Sequence, residues 1–154
     1  MGDGKRVRRA IFLLLAGPLT GLCGASPAGA RELLGQYQRW GAFREAPGWC
    51  FAMAEPIRGG RARLRPYVAV TRHGGPPRVH VAPSRPLAPG SVLRLELDGR
   101  TFFPGREDAR IITAIRRSDA LRVAGTDTRG RRFHDDYPLA GAPSAIDAAI
   151  VGCL

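Results

Sequence analysis

Residues 91–103 read SVLRLELDGRTFF. Leu93, Leu95 and Leu97 fall on one side of an extended chain, Arg94 and Glu96 on the other. That period of two is the mark of a strand with one buried face. Asp98-Gly99 is a two-residue hairpin signal, because both residues tolerate a positive φ, and Arg100 to Phe103 supply the return strand. An antiparallel hairpin therefore sits at the centre of the chain.

Its neighbours read alike. Trp49 to Glu55 alternates, with Trp49, Phe51 and Met53 pointing one way and Cys50, Ala52 and Ala54 the other. Both sides are apolar, so both are at least partly covered. Pro66–Thr71 and Arg78–Ala82 flank the turn His73-Gly74-Gly75-Pro76-Pro77 and form a second hairpin. Leu121–Thr126 and Arg132–Leu139 flank Arg129-Gly130 and form a third. Two windows change to a helical period. In Glu107–Arg117, Ile111, Ala114 and Ile115 share a face, with acids at the start and arginines at the end, as the helix dipole favours. In Ser144–Cys153, Ile146, Ala149, Ile150 and Cys153 share a face, and Ser144 with Asp147 resembles a capping box. Tyr37, Trp40 and Phe43, three apart, predict a short helix face or an irregular lead-in over Arg31 to Pro47. About six strands with two short helices, and no βαβ alternation, predict a mainly β fold: a small antiparallel β-sandwich or half-open barrel.

The first 30 residues read as a cleaved secretory signal. Lys5, Arg6, Arg8 and Arg9 are basic, Ile11 to Leu22 is mostly apolar, and Ala28-Gly29-Ala30 is a small-x-small cleavage site. The apolar run is about half of the ~20 residues a spanning helix needs, and Gly17-Pro18 and Gly21 interrupt it. A lipid anchor at Cys23 would call for a small residue before the cysteine, where Leu22 stands. Cleavage after Ala30 leaves residues 31–154, of a length that suits one domain, outside the cytoplasm in an oxidising compartment. Cys23 leaves with the signal. Cys50 and Cys153 remain and can pair in one way only, joining the first core strand to the last helical turn. The rival reading, two free thiols at a metal or redox site, lacks a CxxC or a nearby histidine.

Residues 31–154 hold 20 Arg against 12 Asp and Glu, a net charge of +8. The densest run is the glycine-bearing loop RGGRARLR, residues 58–65, where Arg58, Arg61, Arg63 and Arg65 are candidate polyanion contacts, for acidic polysaccharide or lipid headgroups. No nucleic-acid motif accompanies them, and nucleic acid is not the expected partner. Catalytic signatures are equally missing. No serine lies in a GxSxG elbow, no histidine pair has metal-ligand spacing, and no Walker or dinucleotide loop is present. No cofactor is implied. The one residual enzyme reading is a cryptic hydrolase using His134 and Asp135.

Residues 125–145 read GTDTRGRRFHDDYPLAGAPSA. This stretch resembles the C-terminal signature of the invasion-associated locus B family, small exported proteins of Gram-negative bacteria. Arg129, Gly130, Asp135, Tyr137, Leu139, Gly141 and Ala145 keep its register. Trp40-Gly41, Cys50 within WCFAMAEP, and Leu97-Asp98-Gly99 followed by Phe102 resemble earlier family elements. Arg131, Phe133, Pro138 and Ala142 depart from its usual residues. The resemblance implies a periplasmic or surface-associated protein, linked in pathogens to host-cell invasion, and it carries over no catalytic site. In physical terms the signature looks structural: glycines for turns, Tyr137 and Leu139 for the core, Asp135 for a buried hydrogen bond. The expected function is therefore binding in the cell envelope. A basic polyanion-binding or inhibitor module is the alternative.

Overall fold

The structure is a computed structural model and describes residues 31–57 and 64–154. The proposed signal, residues 1–30, and Arg58, Arg61 and Arg63 of the basic loop lie outside the described residues. Nine strands and two helices form within them: β1 Glu32–Tyr37, β2 Trp40–Ala46, β3 Trp49–Ala54, β4 Tyr67–His73, β5 Arg78–Ala82, β6 Arg94–Leu97, β7 Arg100–Phe102, α1 Asp108–Ile115, β8 Ala120–Thr126, β9 Arg132–Pro138 and α2 Ala142–Gly152. The strands build two antiparallel sheets, ordered β1-β2-β3-β4-β5 and β7-β6-β8-β9. Neither sheet closes on itself, so the architecture is a small β-sandwich and not a barrel.

The three expected hairpins are present. In the central one, Asp98 and Gly99 take φ of 47° and 73°, and Leu97 pairs with Arg100. Arg31 to Pro47 departs from expectation. It forms the β1–β2 hairpin, not a helix face, with Tyr37 opposite Trp40. Tyr37, Trp40 and Phe43 are three apart only because a two-residue turn, Gln38-Arg39, falls between the first two. Gln38 takes φ of 54° there, an uncommon conformation for a residue that is not Gly, Asn or Asp. Helix α2 also begins earlier than expected. Its N-cap is Gly141, followed by Ala142 and Pro143 in the first turn, so Ser144 is not the cap. Asp147 makes no capping box. It accepts a hydrogen bond from Arg116 at 2.6 Å instead.

One core joins both sheets and both helices. Leu95, Leu97, Leu121, Val123 and Tyr137 come from the smaller sheet, and Ile111, Ile112 and Ile115 from α1. The larger sheet offers small inner residues, Ala42, Cys50, Ala52 and Ala54, and α2 lies across β1 to β4. The helix answers with Ala142, Ala145 and Ala149. Alanine on both partners lets the helix backbone approach the sheet closely. Trp40, fully buried on β2, donates its indole N–H to the carbonyl of Pro138 at the end of β9, 2.9 Å away. That bond links the two sheets and satisfies the one polar atom of the ring.

The last turn of α2 is fastened to the larger sheet. Cys153 is bonded to Cys50, with Cα atoms 5.8 Å apart. Arg44 on β2 donates from Nε and Nη2 to the carbonyl of Gly152, at 3.1 and 2.6 Å. Its guanidinium thus meets the negative end of the helix dipole. The bond removes the free-thiol reading of Cys50 and Cys153.

Candidate functional site

The signature residues are absorbed into the β8–β9 hairpin and its exit. Asp135 and Tyr137 face inward from β9, nearly or fully buried. One oxygen of Asp135 accepts the backbone N–H of Ser84 at 2.9 Å. The Tyr137 hydroxyl has no hydrogen-bond partner among the described residues. Burial pushes its ionisation well above the ordinary phenol range, and the neighbouring Asp135 carboxylate adds to the effect. Leu139 is buried, Gly130 (φ 74°) turns the hairpin, and Gly141 (φ 87°) starts α2. Arg129 is exposed at the tip. These positions serve packing and turning, and leave no signature side chain except Arg129 on the surface for a ligand.

A residue of the same stretch that is not among the register-keeping positions organises that tip. Asp127 is 3% exposed, and it accepts the backbone N–H groups of Arg131 (2.9 Å) and Arg129 (3.0 Å). The side chains of Arg85 and Arg131 reach its other oxygen, each at 3.1 Å. Led by the Arg131 backbone bond, these contacts hold its carboxyl at about 2, below the ordinary 3.8. The sequence placed the turn at Arg129-Gly130, and the part played by Asp127 needed the fold.

His134 and Asp135 are adjacent on a strand and point to opposite faces. His134 is exposed and lies 3.6 Å from Asp136, not Asp135. The fold does not bring the hydrolase pair together. Among the described residues, no three His, Cys, Asp or Glu side chains converge as a metal site.

Two surface hollows among the described residues bear on binding. Arg65, the described member of the basic loop quartet, is exposed. The other arginine cluster is elsewhere, in a cleft of about 550 Å³ between α1 and the β6–β7 hairpin. Its floor is Leu97 and Phe102, and Arg100, Arg110 and Arg117 line it. Arg110 is paired with Glu107 at 2.7 Å. These arginines are scattered along the chain, so no basic run announced them.

The second hollow, about 480 Å³, lies on the outward face of the larger sheet. The β3 residues Trp49, Phe51 and Met53 form its centre, as their alternation predicted. Register sets their neighbours: Trp49 opposes His73, Phe51 opposes Thr71, Met53 opposes Ala69, and Ala69 opposes His80 on β5. Phe51 stacks on Phe43 with centroids 5.3 Å apart, and the Arg31 guanidinium covers it at 5.3 Å. Trp49 stays 40% exposed, tilted against His73 at 5.4 Å. Outer faces of antiparallel sheets are usually polar. This one carries an aromatic shelf.

Fold and site together define a disulfide-linked antiparallel β-sandwich with an open aromatic groove. Comparison with protein-family models, curated proteins and solved structures finds no match for the chain.

Proposed function

We propose that this chain is an exported, non-enzymatic protein of the cell envelope, of the invasion-associated locus B type, that acts by binding through the outward face of its larger sheet. The observation that carries the reading is the aromatic groove around Trp49 and Tyr67, an apolar surface that the fold does not need for its own core. A disulfide between Cys50 and Cys153 fits an oxidising compartment such as the periplasm. The sequence resemblance supplies the family, and the signature residues have the turn and core roles expected of a scaffold. None of them marks a reaction.

The test has two arms. Periplasmic material should begin at Arg31 on N-terminal sequencing, and a chain beginning at Met1 would remove the export reading. Mature protein should be retained by an insoluble envelope fraction, and Trp49→Ala should reduce that retention. Equal retention of both forms would move the binding face elsewhere.

A second reading has its own observation. The cleft holding Arg100, Arg110 and Arg117 favours a polyanion, acidic polysaccharide or lipid headgroup, held by charge.

A further inference from the structure

The groove on the larger sheet differs from the rest of this basic protein in its charge. The ionic groups at its lip are Arg31 and Glu45, and they pair with each other at 3.5 Å. Inside it, the polar groups are the uncharged hydroxyls of Tyr67 and Thr71 and the imidazoles of His73 and His80. Among the described residues none of these four side chains is engaged in a hydrogen bond within the protein. All four side chains line the hollow, beside an indole that is 40% exposed.

A flat aromatic face ringed by unengaged hydrogen-bonding groups, with its charges cancelled, is complementary to a pyranose ring. Such a ring offers a face of C–H groups for stacking and an edge of hydroxyls for hydrogen bonding. Among the described residues no unpaired cation lines the hollow for a polyanion: Arg31 is paired with Glu45, and Arg78, opposite Thr71 on the same face, is turned to Asp108 at 3.9 Å. Two copies, each carrying a net +8 over residues 31–154, repel on approach, which opposes self-association. The floor is already rigid, because Phe51 is held between Phe43 and Arg31, so binding need not order it. We infer that the groove binds an uncharged, pyranose-based glycan strand, with Trp49 and Tyr67 as stacking platforms and Thr71, His73 and His80 contacting its hydroxyls. The inference rests on the binding reading above and names its ligand class.

Trp49 is also the reporter. The chain has two tryptophans, and Trp40 is fully buried. Mature protein with its disulfide intact is titrated with a β-1,4-linked N-acetylglucosamine hexamer, with a β-1,4-linked glucose hexamer, and with heparin. The expected result is a saturable blue shift and protection from acrylamide quenching with at least one uncharged hexamer. Trp49→Ala, followed by affinity electrophoresis, and Tyr67→Ala should each weaken that binding roughly tenfold, the loss of about one stacking contact. Both variants should keep the wild-type circular dichroism, since neither residue belongs to the core. No saturable change with either hexamer at millimolar concentration overturns the inference, as does an emission shift produced by heparin alone. Concentration-dependent dimers that bury Trp49 would also overturn it, with a second copy as the occupant. If the hexamers fail while envelope retention still depends on Trp49, the ligand class is wrong and the binding reading stands.

Discussion

Gly141 shows how much a single backbone position can decide. Its φ of 87° is costly for any residue with a Cβ, and a Cβ built there would collide with the carbonyl oxygen of Tyr37. It therefore turns the chain into α2 and lets the β1–β2 turn sit against that corner. Gly141→Ala should lower the unfolding free energy by roughly 2–4 kcal/mol, the sum of left-handed strain and overpacking. Urea titration of the purified variant measures it, and a loss under about 0.5 kcal/mol, the range of an ordinary surface change, would contradict the geometry. Asp127 makes a different kind of residue-scale prediction. Its folded pKa of about 2 lies below the ordinary 3.8, so its stabilising contribution is complete above 3.8 and is lost as the pH falls through about 2. In Asp127→Asn the stability should be lower at neutral pH and should fall less between pH 4 and 2. Parallel slopes in urea midpoint against pH for the two proteins would assign the acid sensitivity to other carboxylates.

Helix α2 is the element on which the larger sheet depends. The Cys50–Cys153 bond, the Arg44 guanidinium and the close seating of Gly152 against Leu34 all act on its last turn. The double variant Cys50→Ala/Cys153→Ala should lose about 2–5 kcal/mol. Amide exchange should quicken first over residues 142–152, and uniform loss of protection would mean that the helix is not a separate unit. This same helix shows what could be read from residue order. Its apolar face was plain from Ile146, Ala149 and Ile150, and so was the inward direction of Cys153. Its start was not, because Ser144 is a familiar cap, whereas the true start uses a glycine whose φ only the packed corner requires. The β1–β2 hairpin was hidden for a related reason. Its turn lacks Gly, Asn or Asp, and an irregularity between Leu33 and Gly35 breaks the alternation. Strands β4 to β7 were legible because Gly, Pro and Asp-Gly punctuate them. The candidate groove was half legible: Trp49, Phe51 and Met53 share a face by alternation, but His73, Thr71 and His80 join them through cross-strand register, which no local pattern contains.

At the scale of the whole molecule, charge and covering order matter most. Protein spanning residues 31–154 should bind a heparin column at low salt, and Arg100→Ser/Arg117→Ser should elute at lower salt than wild type. Unchanged elution of that pair, with loss of retention in a variant carrying serine at positions 58, 61, 63 and 65, would return the charged surface to the basic loop. The position of α2 has a further consequence, in time rather than in space. The first four strands present their inner faces to a helix built from residues 142–152, so that face has no cover until those residues exist. The meander β1 to β4 can pair its backbone early, yet it cannot complete its packing on its own. A chain that ends before residue 142 therefore lacks the cover for that face. Packing of the larger sheet is thus completed only when helix α2 docks, and the order of the chain makes that docking late.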